Sequence, residues 1–329
     1  MRIAEILIEP QPTKLWTMLK QIGVNEAVGV LPRNFSDWRQ SKSTKPWDYV
    51  SLAIYKQMIT EEGLDLVAIE DNPPMDALRR GGSGAQEELE NVLSLIKNMG
   101  KLGIKTWCYN WMAEIGWLRT STRLRGRGGA IVSGYNHDLL PADAFNQKAL
   151  SSETLWINLE KFLKKVVPVA EQVGVQLAMH PDDPPMISSI GPTSRIMNSI
   201  ESFEKLIELV PSPANGITLC QGNFTLMTPD LPKVIHQFGD AKKIFFVHFR
   251  DVKGTAQNFE ETFIDNGNTD MVQCLRAYRD VNFSGIMRTD HTPTLEGDDA
   301  QVAGYSTLGR LHAIGYLQGA KQAILSEKL

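Results

Sequence analysis

Four residues of metal-binding type stand at or near the ends of short apolar runs in the second half of the sequence. "LAMH" ends at His180, "ITLC" at Cys220, "FFVH" at His248 and "MRTD" at Asp290. Neutral imidazoles, thiolates and carboxylates donate lone pairs to metal ions. Two imidazoles, one thiolate and one carboxylate suit a borderline divalent ion such as Zn, Fe, Co, Ni or Mn. They do not suit Ca²⁺ or Mg²⁺, which prefer oxygen ligands.

Each of these residues also has an ordinary structural explanation. A single histidine at a strand end is more often a hydrogen-bonded structural residue, and a single buried cysteine behaves as a small hydrophobe. An aspartate before a turn is often a cap. These explanations weaken when they must account for four ligand types at the same end of four successive strands. The residue types leave open either a closed tetrahedral zinc site or a metal with positions free for substrate oxygens.

The four residues can converge only if the strands that carry them lie side by side. Short apolar runs alternate with amphipathic helical patterns along the chain, and each pair of runs predicts one βα unit. Eight such units indicate a (β/α)₈ barrel, formed by residues 1–329 as one domain, in which the C-terminal strand ends share one rim. A doubly wound open sheet is the alternative. The predicted strands cover residues 2–9, 27–31, 65–70, 105–110, 175–180, 215–220, 243–249 and 284–290.

Two segments at this rim differ from ordinary turns. Residues 111–150 form a long Gly- and Arg-rich excursion after the fourth strand, which predicts a loop that overhangs the pocket. In "MHPDDPP" the prolines stiffen the exit from the fifth strand. Asp182 and Asp183 are therefore candidate acceptors that orient the imidazole of His180. A solvated turn is the alternative.

Composition limits the class of partner. The chain has 329 residues, a net charge of −4 and scattered Lys and Arg, with "RLRGRGG" as the only basic cluster. This pattern gives no electrostatic footprint of the kind that nucleic-acid or membrane binding produces, so we expect a small molecule or another copy of the chain as the partner. The outer helix faces of such barrels often pair with a second copy, so a homo-oligomer is a possible state of the protein.

The cysteines and the apolar runs bear on the location of the protein. Three distant cysteines give no disulfide framework, and no apolar run is long enough to span a bilayer. We therefore expect a cytoplasmic protein.

Several longer motifs carry a resemblance to a known family. The motifs "GIKTWCYNWM…WLRT", "MHPDDPP", "CQGN", "VHFRDV", "ETF…DNGNTDM", "MRTDH" and "GYSTLGRLHAIGYLQG" together resemble the mannonate dehydratase family, in the family's order from about residue 60 to the C-terminus. That family consists of metal-dependent (β/α)₈ barrels related to xylose-isomerase-like enzymes. Its members convert D-mannonate to 2-keto-3-deoxy-D-gluconate and water. The resemblance therefore implies a hydro-lyase acting on a sugar acid.

The resemblance also implies roles for individual residues. It makes His180, Cys220, His248 and Asp290 the ligands of a divalent ion, usually Mn²⁺. By the same motifs, five further residues acquire roles. The acid–base candidates are His291 and Tyr305, and the residues that bind or orient substrate are Asn110, Arg119 and Arg288. Which of the two acid–base candidates is the acid stays open.

The chain departs from the family at several pocket positions. "ILIEPQP" replaces the family's Phe-Arg-Trp-Tyr-Gly motif at the first strand, and Ile264 replaces a histidine. Thr289 and Thr292 replace a proline and a glycine. These departures leave the identity of the sugar acid open. A sugar or sugar-acid isomerase on the same barrel is the first alternative. A catalytically silent sugar-acid-binding barrel is the second, although the presence of both His291 and Tyr305 argues against it.

Overall fold

The structure, a computed structural model, describes residues 1–33, 44–140, 148–298 and 302–327. Eight parallel strands close into a barrel in which each strand pairs with the strand before it and the strand after it in sequence. The closed barrel confirms the predicted (β/α)₈ fold and excludes the open doubly wound sheet. The barrel strands are β1 (Arg2–Leu7), β2 (Glu26–Gly29), β3 (Asp65–Glu70), β4 (Thr106–Tyr109), β5 (Gln176–Met179), β6 (Asn215–Cys220), β7 (Ile244–Phe249) and β8 (Ile286–Thr289).

The helices surround the barrel. The long helices α4 (Ala85–Leu102) and α5 (Ser152–Val173) are each followed by a glycine with a left-handed backbone, Gly103 (φ 73°) and Gly174 (φ 70°), as expected for glycine after the last helical residue. The hydroxyl of Ser151 caps the first turn of α5. The helices are α1 (Lys14–Gln21), α2 (Tyr49–Glu61), α3 (Asp76–Arg80), α4 (Ala85–Leu102), α5 (Ser152–Val173), α6 (Ile200–Leu209), α7 (Gln221–Met227), α8 (Leu231–Asp240), α9 (Met271–Asp280) and α10 (Thr307–Ser326).

The apolar core has two layers because parallel barrel strands are covered on both faces. A small cluster inside the barrel includes Ala4, Val28, Ala68, Ala178 and Phe246. A larger cluster lies between the strands and the surrounding helices. This burial on both faces explains why the strands read as continuous apolar runs in the sequence.

A buried polar group joins the first strand to the last. Glu5 is fully buried, and its Oε2 accepts a hydrogen bond of 2.7 Å from the hydroxyl of Thr289. The Nε of Arg310 lies 3.3 Å from Glu5 Oε1, and its Nη2 donates to the carbonyl of Ile6 at 2.8 Å. Thr289, which departs from the family pattern, thus links β8 to β1 where the barrel closes.

The excursion at residues 111–150 contains strands as well as loops. Strands Ser121–Arg125 and Ile131–Asn136 pair in antiparallel fashion and join strands Val252–Thr255 and Asn258–Glu261 in a separate four-stranded sheet. The sequence predicted only a loop here. The strand Ile131–Asn136 pairs with Asn258–Glu261, more than 100 residues away in sequence, and that pairing has no local signal. No helix within the described residues has the length and apolar character needed to cross a membrane.

Candidate metal centre and active site

Three of the four predicted metal ligands converge at the C-terminal rim. Cys220 and His248 are paired in register between β6 and β7, and His180 follows directly after β5. One ligand atom from each of these three residues lies within 4.8 Å of the other two. Asp290, which follows β8, lies beside this group, with Oδ2 3.6 Å from His248 Nδ1. The strand ends therefore bring all four predicted residues to one place, while their role as ligands stays a prediction.

The ring of His180 is held by its own chain. Its Nδ1 lies 2.7 Å from the carbonyl oxygen of Pro181, which can only accept, so Nδ1 carries the proton. Its Nε2 therefore presents a lone pair, 3.3 Å from Nδ1 of His248. Asp182 and Asp183, the acceptors suggested by the sequence, make no hydrogen bond to this ring. Asp182 accepts from the backbone of Met197 at 2.8 Å instead.

The ionisation states suit a metal site. Burial, followed by the neighbouring His248, lowers the pKa of His180 to about 3. Burial also lowers the pKa of His248. Burial would raise the pKa of Asp290, but Arg288 and other nearby positive groups hold it well below its usual range. Two neutral imidazoles and one carboxylate are therefore ready as ligands. Cys220 differs, because burial raises its pKa to about 12, so metal binding must displace its proton.

Asp290 is the most highly connected residue of the site. Its Oδ1 accepts from the hydroxyl of Tyr305 at 3.0 Å and from Arg288 Nη1 at 2.9 Å. Its Oδ2 accepts from Arg250 Nη1 at 3.1 Å. The Nε2 of His291 lies 3.2 Å from Oδ1. Both acid–base candidates thus touch the same carboxylate.

A cavity of about 390 Å³ opens above this cluster. Its size is within the usual range for small-molecule sites. Cys220 and Arg119 do not reach its wall, whereas the other predicted site residues do. Those at the wall are Asn110, His180, His248, Arg288, Asp290, His291 and Tyr305.

His291 has an unusual backbone conformation. Its φ is 47°, in the left-handed region that few residues other than glycine adopt. Its ring lies 5.1 Å from the ring of Trp117 and 5.5 Å from that of Tyr305, measured between centroids. Its Nδ1 is 3.3 Å from Glu261 Oε1. The ring therefore lies between two aromatic groups at the cavity wall.

The predicted substrate residues differ in how their donors are used. Arg119 is fully buried and donates to Asp183 (2.5 and 3.0 Å) and to Glu261 (2.5 and 3.1 Å). Its guanidinium thus lies under the site, bound to two carboxylates. Asn110 lines the cavity, and its Oδ1 accepts from Arg79 at 3.0 Å. Direct substrate contact by either residue stays a prediction.

Arg288 lines the cavity, but all three of its guanidinium nitrogens already donate hydrogen bonds to protein oxygens. Its Nε and Nη2 donate to the two oxygens of Glu70, at 2.7 and 2.6 Å. Its Nη1 donates to Asp290 and to the carbonyl of Thr289. Direct contact between Arg288 and the substrate therefore also stays a prediction.

Sequence reasoning missed four residues of the site: Glu70, Arg250, Glu261 and Trp117. Glu70 is the last residue of β3 and ends an apolar run. The four predicted metal ligands were identified by the same signal, a polar residue at or near the end of an apolar run, so that signal also points to Glu70. Arg250 and Glu261 stand inside the motifs "VHFRDV" and "ETF". Their buried pairing across the site, 3.4 Å between Arg250 Nε and Glu261 Oε2, has no signal in the sequence.

The closed barrel and the His–Cys–His cluster at its C-terminal rim define the class, a (β/α)₈ barrel with residues of metal-ligand type at the end where such barrels carry their active sites. Solved structures of this fold match the whole chain. L-ribulose 3-epimerase, for example, covers 98% of it with a TM-score of 0.63 and 14% identity, which shows the fold alone.

The chain belongs to the D-mannonate dehydratase (UxuA) family, whose model matches residues 11–148 and 142–328. Mannonate dehydratase 2 of Halalkalibacterium halodurans is 30% identical over 308 residues, 85% of this chain and 88% of that protein. The mannonate dehydratase of Oceanobacillus iheyensis is 30% identical over 84% of this chain and 86% of its own. The crystal structure of mannonate dehydratase from Streptococcus suis serotype 2 has a TM-score of 0.87 at 27% identity, covering 99% of this chain and 93% of that one. The predicted family is therefore confirmed, and with it a metal-dependent hydro-lyase.

Proposed function

We propose that this protein removes water from D-mannonate to form 2-keto-3-deoxy-D-gluconate, with a divalent ion, Mn²⁺, as cofactor. The observation that carries the proposal is the group His180, Cys220 and His248 beside Asp290, under a cavity that His291 and Tyr305 also line. Membership of the family supports this substrate, because the relatives matched over 84–85% of the chain are named mannonate dehydratases.

His180, Cys220, His248 and Asp290 would hold the ion. Two neutral imidazoles, a thiolate and a carboxylate form a donor set suited to Mn²⁺ and similar divalent ions. When bound, such an ion polarises the oxygens of a sugar acid and stabilises the negative charge that develops as the C2 proton leaves. The buried arginines around Asp290 keep that ligand ionised.

Dehydration requires one group that accepts the C2 proton and one that protonates the hydroxyl leaving C3. The C2–H and C3–O bonds break and water departs, and the resulting enol loses its C2 hydroxyl proton and gains a proton at C3 to become the 2-keto-3-deoxy acid. His291 and Tyr305 are the groups positioned for these transfers. The hydroxyl of Tyr305 donates to Asp290 Oδ1 at 3.0 Å, so it carries a proton and is the proposed donor. His291 is then the acceptor.

Asn110 is proposed to contact the substrate directly. Its Oδ1 is taken by Arg79 and by the backbone of Met112, which leaves its NH₂ group as a donor for a substrate oxygen. Arg119 is proposed to act from below, because its guanidinium holds Asp183 and Glu261 under the cavity. Arg288 lines the cavity and is proposed to act by holding Glu70 and Asp290 in place there.

The test is anaerobic incubation of the purified protein with Mn²⁺ and a panel of aldonic acids, including D-mannonate, followed by detection of 2-keto-3-deoxy acid. We expect product from D-mannonate that disappears with a chelator and returns when Mn²⁺ is restored. Product from another acid alone would refute the substrate. An isomeric sugar acid formed without loss of water would refute dehydration, as would no product from a protein shown to contain the metal.

A further inference from the structure

Glu70 contacts His248 on the side of the ring opposite to the metal cluster. His248 is fully buried, and its Nδ1 faces His180 Nε2 at 3.3 Å and Asp290 Oδ2 at 3.6 Å. Its Nε2 lies 3.2 Å from Oε2 of Glu70. The imidazole is thus placed between a group of metal-ligand type and a carboxylate that is no member of that group.

The acceptor decides which nitrogen carries the proton. An ionised carboxylate can only accept, so the single proton of a neutral imidazole belongs on Nε2, and Nδ1 presents its lone pair to the cluster. We infer that Glu70 is a positioning residue: it holds His248 in the Nε2–H tautomer so that this histidine binds the metal through Nδ1. This inference rests on the proposed metal site and names a residue that the family motifs did not single out.

Arg288 fixes the orientation of Glu70. It binds both carboxylate oxygens in parallel, at 2.7 and 2.6 Å, which is the planar arrangement that an arginine fork favours. Its third nitrogen donates to Asp290 Oδ1 at 2.9 Å. Two hydrogen bonds from the positively charged Arg288 favour the ionised form of Glu70, so the carboxylate is an acceptor. Arg288 therefore holds in position both Glu70, which accepts from His248, and the carboxylate of Asp290.

A second metal site is the competing explanation for this arrangement. Glu70, Cys108 and His248 also bring one ligand atom each within 4.8 Å of one another. Arg288, however, already contacts both oxygens of Glu70, so its positive charge occupies the place that a second ion would need. Charge therefore favours a hydrogen bond from His248 over a second ion.

The two histidines consequently use different nitrogens. His180 donates its Nδ1–H to a backbone carbonyl and presents Nε2, whereas His248 donates its Nε2–H to a carboxylate and presents Nδ1. A carboxylate acceptor makes the imidazole more basic than a carbonyl does, and outer partners of this kind commonly change metal affinity by roughly 10–100-fold.

The first test reads the tautomers directly. Protein labelled with ¹⁵N-histidine is loaded with Zn²⁺, which is diamagnetic, and long-range ¹H–¹⁵N correlations assign the bound nitrogen of each ring. We expect two metal-bound imidazoles, one bound through Nε2 and one through Nδ1. His180 serves as the internal control. Two rings bound through Nε2 would overturn the inference.

The second test measures Mn²⁺ affinity and stoichiometry by titration of the metal-free protein. We expect one ion per chain, and a loss of affinity of about 10–100-fold in Glu70→Ala. Glu70→Gln should lose less, because its amide oxygen still accepts from Nε2–H. Glu9→Ala is the matched control, since Glu9 also pairs with an arginine, Arg310, at the same end of the barrel and is similarly exposed (24% against 17%).

Unchanged affinity in Glu70→Ala, or two ions per chain in the unmodified protein, would overturn the inference. If Glu70→Ala does not fold, the tautomers of the unmodified protein still decide the question. Neither test requires turnover, so a failure of the proposed reaction and a failure of this inference give separate results.

Discussion

The hydroxyl of Tyr305 donates a hydrogen bond of 3.0 Å to Oδ1 of Asp290. The ring of His291 lies 5.5 Å from the Tyr305 ring and also approaches Asp290. One carboxylate thus sets the positions of both acid–base candidates, since each is in contact with it. A change in either candidate is expected to affect proton transfer while leaving the metal-binding group in place.

Replacing Tyr305 with phenylalanine tests the proton donor. Tyr305→Phe removes the hydroxyl and keeps the ring, so the metal content should not change while kcat falls by about 10²–10⁴-fold. Steady-state kinetics together with metal analysis measure both quantities. Tyr316→Phe, on α10 and away from the cavity wall, is the control. An unchanged kcat in Tyr305→Phe would contradict the assigned role.

His291→Asn tests the proton acceptor. Asparagine tolerates the left-handed backbone found at this position, where φ is 47°, so the substitution removes the imidazole without adding backbone strain. We expect kcat to fall by about 10²–10⁴-fold at full metal occupancy. His236→Asn on α8 is the control. A variant that retains both metal and activity would show that His291 does not transfer the proton.

Arg119→Met separates positioning from direct substrate binding. The side chain of Arg119 is fully buried between Asp183 and Glu261, and its removal leaves these two carboxylates sharing a single buried arginine, Arg250. Breaking a buried pair in this way costs about 3–5 kcal/mol of unfolding free energy. Urea denaturation should show this loss. The control is Arg125→Met, on the exposed strand Ser121–Arg125, which should not lower the unfolding free energy. A raised KM with unchanged stability would instead indicate direct substrate contact.

Metal affinity should rise with pH. In the metal-free protein burial raises the pKa of Cys220 to about 12, whereas the pKa of His180 is lowered to about 3. Burial also lowers the pKa of His248, so between pH 7 and 8 only the thiol must lose a proton on binding, and the apparent affinity should increase about tenfold per pH unit. Calorimetry in buffers of different ionisation enthalpy counts the released protons. Cys220→Ser should abolish this dependence, and Cys274→Ser should keep it. A flat pH profile in the unmodified protein would argue against Cys220 as a ligand.

The same substitution at two positions of α10 should have opposite effects. A Cβ at Gly309 would collide with the backbone carbonyl of Pro293, which cannot move independently, whereas a Cβ at Gly315 meets no atom within 4 Å. We expect Gly309→Ala to lower the unfolding free energy by about 1–3 kcal/mol. Gly315→Ala should raise it by about 0.5–1 kcal/mol, because alanine favours the helix. Thermal or urea denaturation measures both, and equal effects would contradict this account.

The amino-acid sequence alone was sufficient to predict the barrel fold. Each βα unit is a local pattern, an apolar run followed by an amphipathic helix, and eight such units have few ways to close. The parallel strands then share one rim, so His180, Cys220, His248 and Asp290 were expected to meet there. The structure brings them to one rim, because the convergence follows from strand ends and needs no knowledge of side-chain contacts.

The tertiary structure alone decided how those side chains are held. The guanidinium of Arg119 donates to buried carboxylates. Glu70 contacts His248 and Arg288, which lie 178 and 218 residues away in sequence. The strand Ile131–Asn136 likewise pairs with Asn258–Glu261, far along the chain. Contacts of this kind depend on the curvature of the closed barrel and on competition among buried charges for the nearest opposite charge. No periodicity or local motif encodes that competition, so it becomes visible only when the chain is folded.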